Sequence, residues 1–258
     1  MKSAVKYILK LVPRTVLTRL SFVVKPFVRI YLAGSKYTDP IDGSTFRQFL
    51  PYGHEIIREN VLSPSTYSLE RHRLLWLYLK HETEVFTKPQ KVLHFAPEAA
   101  FYDRLKTMEH LDYTTTDLDS PLADVKADIC NLPFKSDSYD LILCNHVLEH
   151  IEDDQQAMAE LFRVMKPGGM GVFQIPLDMK RNETFEDSSI KDKKERAKIF
   201  GQYDHVRIYG MDFFQRLEQC GFQIEKVDYT KTLSEDKIKE YCLSKGELIP
   251  VVYKPKTI

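Results

Sequence analysis

The sequence has no net charge: 37 Lys and Arg balance 37 Asp and Glu. A balanced total leaves no bulk electrostatic footprint for nucleic acid, so no nucleic-acid partner is expected. Paired cysteines are also absent. Cys130, Cys144, Cys220 and Cys242 stand far apart, with no C-x-x-C among them. That spacing excludes a disulfide framework and a thiolate zinc site, and it points to a reducing compartment. No apolar run approaches the ~18 residues of a membrane span. Lys2, Lys6, Lys10, Arg14, Arg19, Lys25 and Arg29 interrupt the N-terminal apolar runs before a signal-peptide core forms. A cytoplasmic location is expected.

What is present is unevenly placed. Eight of the basic residues and none of the acidic ones fall in residues 1–38, so the remainder carries an excess of eight negative charges. Residues 1–36 read as a basic segment of amphipathic helices, with Val5, Ile8, Leu9 and Val12 at helical spacing and breaks near Pro13 and Pro26. Two uses fit that composition. One is peripheral contact with an anionic membrane; the other is packing on the acidic part of the chain, or on a second copy as a homodimer arm. Residues 37–88 form a second segment, irregular and rich in Pro, Gly, Ser and Tyr. It leads into a helix over "LERHRLLWLYLKHETEV", for which Ser68 is a plausible N-cap.

From residue 89 to 258 the texture changes. The apolar runs "KVLHF", "YTTTD", "YDLILCN", "GVFQIP", "FQIEKVDY" and "IPVVYK" alternate with helical patterns near 99–108, 146–166, 190–200, 211–220 and 234–242. Such alternation predicts an α/β fold with a mostly parallel sheet covered by helices.

Within this region "CNHVLEHIEDD" contains H-x-x-E-H, from His146 to His150, the spacing of an inverted zinc-protease helix. The context argues against that reading. The string follows a buried-strand pattern, and "KPGG" and another strand come soon after, which makes a βαβ crossover. No metal is expected, and His150 reads as an ordinary surface or core histidine.

The stretch "ADICNLPFKSDSYDLILCNHVLEHIEDDQQAMAELFRVMKPGGMGVFQIP" resembles the nucleotide-binding domain of class I S-adenosylmethionine-dependent methyltransferases, in particular those with an LPF segment, a "vLeH" helix and an "LKPGG" turn. The resemblance covers about residues 89–258. It implies a Rossmann-like seven-stranded sheet of order 3-2-1-4-5-7-6, S-adenosylmethionine as cofactor, and transfer of a methyl group to a small-molecule or glycan-type acceptor. Asp117 would accept the ribose hydroxyls, as an acid at this position does in dinucleotide folds; a plain turn Asp is the alternative. Leu118 follows it. Asp128 and Ile129 would face the adenine, with Asn145 and His146 at the methionine end and substrate entrance. The first turn departs from the family: "VLHFAPEAA" has His94, Phe95, Ala96 and Glu98 in place of an acid and glycines. Ala96 is small enough to keep a close approach, and Glu98 would take the amine. That missing glycine turn supports the other function considered, a non-catalytic binding or scaffold protein on the same fold.

An "HFAPE" branch of the family carries a zinc ribbon patterned C-P-x-C … C-P-x-C-x-S-L-E-R. Here "DPID" (39–42) and "SPST" (63–66) stand in those places, so Asp39, Asp42, Ser63 and Thr66 replace four thiolates. Oxygen groups of this kind do not hold zinc as thiolates do, and Tyr37, Phe46, Phe49 and Tyr52 are expected to supply an apolar core instead.

An insertion at 177–210 would cover the acceptor. It presents Glu186, Asp187, Gln202, Tyr203, Asp204, His205 and Arg207. His205 beside Asp204 suits a general base; a solvated polar lid is the alternative. Methyl transfer depends chiefly on in-line positioning, so no base is obligatory.

Overall fold

The structure, a computed structural model, describes residues 24–53 and 57–256. The expected helices of residues 2–23 lie outside the described residues. The chain divides into two units: Met1–Tyr78 with Thr230–Lys245, and Leu79–Tyr229 with Gly246–Ile258. No helix among the described residues is long and apolar enough to cross a membrane.

The first unit begins, among described residues, with a helical stretch at 24–32. Two antiparallel pairs follow: β1 (Ala33–Thr38) with β2 (Thr45–Phe46), and β3 (Leu50–Tyr52) with β4 (Arg58–Leu62). Helix α1 (Glu70–Glu82) comes next. Phe46 and Phe49 are buried with Leu32, and Tyr37 packs against Phe49 at 5.9 Å. Tyr52, expected in this core, is exposed. It lies at the end of a three-residue strand whose pairing with β4 shifts register between Leu50 and Tyr52, so Tyr52 does not follow Leu50 onto the core.

Ser68 does not cap α1. Its hydroxyl donates to Asp39 Oδ2 at 3.2 Å, and the Leu69 amide donates to His72 Nδ1 at 3.0 Å instead. Arg73 is fully buried, and its guanidinium donates to the carbonyls of Val61, Ser68, Tyr241 and Cys242. These bonds explain why residues 230–245, with the short helix Glu235–Glu240, belong to this unit and interrupt the continuous 89–258 region drawn from the sequence.

The second unit is built on one seven-stranded sheet. Its strands are β5 (Gln90–Phe95), β6 (Leu111–Asp117), β7 (Val125–Lys126), β8 (Tyr139–Cys144), β9 (Met165–Val172), β12 (Gln223–Val227) and β13 (Ile249–Tyr253). The short pair β10 (Phe185–Glu186) and β11 (Arg207–Ile208) lies outside it, within the 177–210 insertion. Across the sheet the order is β12-β13-β9-β8-β5-β6-β7. β13 is antiparallel to both neighbours and the remaining pairings are parallel. This is the expected 3-2-1-4-5-7-6 arrangement. Helices α2 (Ala99–Leu105), α3 (Asp154–Val164), α4 (Lys193–Phe200) and α5 (Phe213–Gln219) complete the unit.

The core explains the choice of residues. Val92, Leu93, Leu141, Ile142 and Leu143 are buried along two central strands, with Met158, Leu161 and Val164 of α3 also inside. At ~25 cal/mol per Å² of apolar surface removed from water, each such side chain contributes about 1.5–3 kcal/mol.

The helix expected at 146–166 is shorter than its apolar spacing suggested. Residues 148–150 form a single 3-10 turn, Ile151 is extended, and α3 starts only after Asp153, whose carboxylate accepts the Gln156 amide. His146 has φ +54°, a left-handed conformation that no α-helix continues through. The helix ends at Val164 just before "KPGG", and the strand that follows begins already at Met165, so "KPGG" lies within β9.

Candidate functional site

The neighbours of β5 are β6 on one side and β8 on the other, so the chain order reverses there. Open parallel sheets leave a crevice at such a switch point, outside the carboxyl ends of the strands. A cleft of about 620 Å³ occupies this place. Phe95 and Ala96 reach it from the end of β5, Thr116 to Asp119 from β6, Ala127 to Ile129 from β7, and His146, Val147, His150 and Ile151 from the segment after β8. Asp204 of the insertion closes one side.

The rim is held by backbone as much as by side chains. Ala96 has φ +46°, and its amide donates to the Thr116 carbonyl at 3.0 Å. It therefore takes the backbone conformation for which a glycine would be favoured. His146, also left-handed, donates its amide to the Gln174 carbonyl at 2.7 Å. Asp117 Oδ1 accepts the amides of Asp119 and Ser120 at 2.8 and 2.7 Å. These bonds fix the carboxylate and leave Oδ2 outside the turn. Asp128 Oδ1 accepts the Cys130 amide at 2.9 Å.

Four carboxylates, Asp117, Asp119, Asp128 and Asp204, line the cleft, with no Lys or Arg among the lining residues. Such a surface favours a cationic ligand.

Of the residues singled out in the sequence, Phe95, Ala96, Asp117, Leu118, Asp128, Ile129 and His146 come together here. His94 does not line the cleft; it is buried, and its Nδ1 pairs with the Tyr113 hydroxyl at 2.7 Å. Glu98 stands at the N-cap of α2, and Asn145 Nδ2 donates to its Oε2 at 3.3 Å. Asn145 Oδ1 is buried without a partner. His205 sits behind His150, with ring centroids 4.7 Å apart and edge-to-face. Burial holds the His205 imidazole below its ordinary pKa, against the pull of the Glu149 carboxylate.

Arg207, Glu186 and Asp187 are placed elsewhere. Arg207 is 3% exposed and donates to Glu186, at 2.8 Å, and to the carbonyls of Leu148, Ile151 and Glu152. Arg216 joins Glu186 at 3.0 Å and Asp154 at 3.1 Å. Burial alone would raise the Glu186 pKa, but hydrogen bonds from Arg216 and Arg207 outweigh it and hold the carboxyl low. Arg207 thus pins the insertion to the loop before α3. Asp187 lies with Glu186 on a separate cleft of about 430 Å³. Tyr203 is exposed.

Sequence reasoning missed Thr116, Asp119, Ala127, Val147, His150 and Ile151 as lining residues. His150 had a signal in H-x-x-E-H; the others had none beyond adjacency to a strand end.

Residues 96–173 match the family model for a methyltransferase domain. The sheet is the Rossmann-like sheet of such a domain. S-adenosylmethionine is the cofactor of a domain of this kind, and the residues present fit it. The acidic rim suits a sulfonium and an ammonium, and Asp117 Oδ2 can accept from ribose, whereas Asn145 and Glu98 are not among the lining residues.

An uncharacterized protein of Methanocaldococcus jannaschii is 26% identical over 116 residues, 45% of this chain and 54% of its own length. A demethylmenaquinone methyltransferase of Streptomyces avermitilis is 43% identical over 42 residues, 16% of this chain and 18% of its own length. The chain thus spans about half or less of these curated relatives. Among solved structures, the [4+2]-cyclase SpnF superposes with a TM-score of 0.51 at 14% identity, over 75% of this chain and 85% of that one.

Proposed function

We propose that this chain is an S-adenosylmethionine-dependent methyltransferase that acts on a small-molecule or glycan-type acceptor. One observation carries the reading: the acidic cleft at the switch point, with Ala96, Asp117, Asp128 and Ile129 on one wall and His146 and His150 on the other. In this reading the cofactor supplies an electrophilic methyl group. Asp117 holds the ribose, Asp128 and Ile129 face the adenine, and Asn145 with Glu98 receives the amine. His146 stands where the acceptor enters. His205 is set edge-to-face behind His150 and outside the cleft lining, so this reading rests on in-line positioning and requires no base. The helix-bearing insertion, with Tyr203 on its surface, shields this side of the cleft.

Calorimetry with S-adenosylmethionine tests the assignment. Asp117→Ala removes charge-assisted hydrogen bonds worth about 1.5–3 kcal/mol each at most. Affinity should fall tenfold or more, since about 1.4 kcal/mol is a factor of ten. Equal affinity in the variant would sink the role of Asp117.

The second reading, a non-catalytic binding or scaffold protein, is favoured by the first turn, where Ala96 and Glu98 stand in place of glycines. The fold by itself does not choose, because fold and reaction are separable. No heat and no thermal shift with millimolar S-adenosylmethionine would decide for the scaffold.

Peripheral membrane contact through residues 1–36 belongs to the same proposal. The helical stretch at 24–32 leaves Phe27 and Ile30 70% and 76% exposed, with Lys25 and Arg29 beside them. Apolar and basic groups on one helix suit an anionic interface. Full-length protein should float with anionic vesicles at low salt and release at high salt, while a chain starting at Tyr37 stays behind. Equal and poor flotation would favour a packing arm or homodimer contact instead.

A further inference from the structure

Glu149, His150 and His205 converge at the side of the cleft, each offering one ligand atom, and these atoms lie within 4.8 Å of one another. The sequence reading assigned no metal to this chain. Only the fold brings His205 to a pair it follows by 55 residues.

Three independent features make the cluster unusual. Glu149 is 1% exposed; its Oε1 faces His146 Nδ1 at 3.2 Å, while Oε2 is buried with no partner at all. A buried carboxylate oxygen left unpaired is costly, which makes Oε2 a candidate ligand atom. Each histidine, meanwhile, has one nitrogen committed. His205 Nδ1 donates to the Phe200 carbonyl at 3.1 Å, and His150 Nδ1 donates to the Asp204 carbonyl at 3.3 Å. A carbonyl only accepts, so those nitrogens carry the protons and Nε2 of each neutral ring is a bare lone pair. Metal-binding histidines are held by this kind of second hydrogen bond, which sets the tautomer and aims the ring. Finally, Asp204 Oδ2 lies 3.6 Å from His150 Nδ1, a carboxylate in reach of the histidine from outside.

We infer that Glu149, His150 and His205 hold one divalent first-row transition ion, zinc or a close equivalent, at the edge of the cleft. Two imidazoles with one carboxylate favour such an ion over magnesium or calcium, which prefer oxygen donors. Donors around tetrahedral zinc stand about 3.4 Å apart for bonds of ~2.1 Å, so small side-chain rotations complete the set. Three protein ligands leave a position open, as in catalytic zinc sites. His150 also lines the cleft, which puts the site at its wall. If the cleft is a methyl-transfer site, a clause that rests on the proposed function, the open position is where the acceptor's donor atom would be held.

A proton shared between Glu149 and a histidine Nε2 would satisfy the same atoms without a metal, and the experiment separates the two. Untagged full-length protein is stripped with chelator and titrated with Zn²⁺ by calorimetry and with Co²⁺ by visible absorption, both without S-adenosylmethionine. One ion per chain is expected, with a cobalt spectrum of low coordination number. Glu149→Gln and His205→Ala should each weaken binding at least tenfold; His205→Gln serves if the alanine variant loses its circular dichroism. No binding, or stoichiometric binding that survives both substitutions, overturns the site. S-adenosylmethionine affinity is measured on the same samples. Cofactor binding without metal binding refutes this inference alone. Metal binding without cofactor binding leaves the site standing and removes the acceptor clause.

Discussion

Two buried carboxylates, one in each unit, stand in opposite states. Asp39 in the first unit is fully buried and saturated. Its Oδ1 accepts the Ile41 amide at 2.9 Å, and its Oδ2 faces the hydroxyls of Thr66 at 2.6 Å, Ser68 at 3.2 Å and Ser65 at 3.4 Å. Glu149 in the second unit is equally buried, yet one of its oxygens has no donor. The turn between β1 and β2 and the turn after β4 are closed on each other by these hydrogen bonds, where a ribbon of thiolates would use an ion. The second cluster is not closed, and it borders a cleft. A saturated polar cluster rigidifies; an unsaturated one is the place to look for a ligand.

The comparison can be broken most directly at Asp39. Asp39→Ala strands several buried donors at once and should destabilise the protein by about 3 kcal/mol, read from denaturant midpoints at constant slope. A loss under about 1 kcal/mol would mean that the cluster is not what closes those turns. Glu149→Gln is the counterpart. In metal-free protein the substitution should change stability by less than about 1 kcal/mol, because the wild-type oxygen already lacks a partner. A loss as large as that of Asp39→Ala would show that Glu149 is a structural acceptor.

The cleft rim offers a smaller test. Ala96 occupies left-handed backbone that disfavours a Cβ by roughly 1–2 kcal/mol, partly offset by the extra freedom glycine has when unfolded. Ala96→Gly should therefore raise stability by up to about 1 kcal/mol, seen as a higher thermal midpoint. A lower midpoint would mean that the alanine methyl packs usefully at the cleft.

The smallest effect concerns acid. Arg216 and Arg207 hold the Glu186 carboxyl below its ordinary 4.5. A lowered folded pKa adds stability that is fully present above the unfolded value and is lost as pH falls through the folded one. Wild type should thus lose stability below about pH 4.5 more steeply than Glu186→Gln. Parallel acid limbs for the two proteins would remove this ion pair from the account.

Much of the second unit was legible. The runs "KVLHF", "YDLILCN" and "IPVVYK" are strands because apolar runs of that length, bounded by turns, bury on both faces of a sheet. The acids at strand ends, Asp117 and Asp128, fell on the cleft because parallel strands deliver their carboxyl ends to one edge. The segment after β8 was read less well. Apolar residues from Ile151 onward match a helical period, but a left-handed His146 and an extended Ile151 break it, and no residue type there announces either. Ser68 looked like a cap until Asp39, distant in sequence, claimed its hydroxyl.

The sequence by itself determined the α/β class through local periodicity, while the strand order and the acids at the cofactor edge were what the family resemblance implied. Only the tertiary structure decided which polar groups are satisfied. It gave Arg207 to three carbonyls and to Glu186 rather than to a substrate, and residues 230–245 to the first unit through Arg73. It set His205 against Glu149 and His150. The reason is physical: hydrogen-bond saturation and burial depend on atoms a few ångströms apart in space, and those atoms come from segments that no sequence period relates.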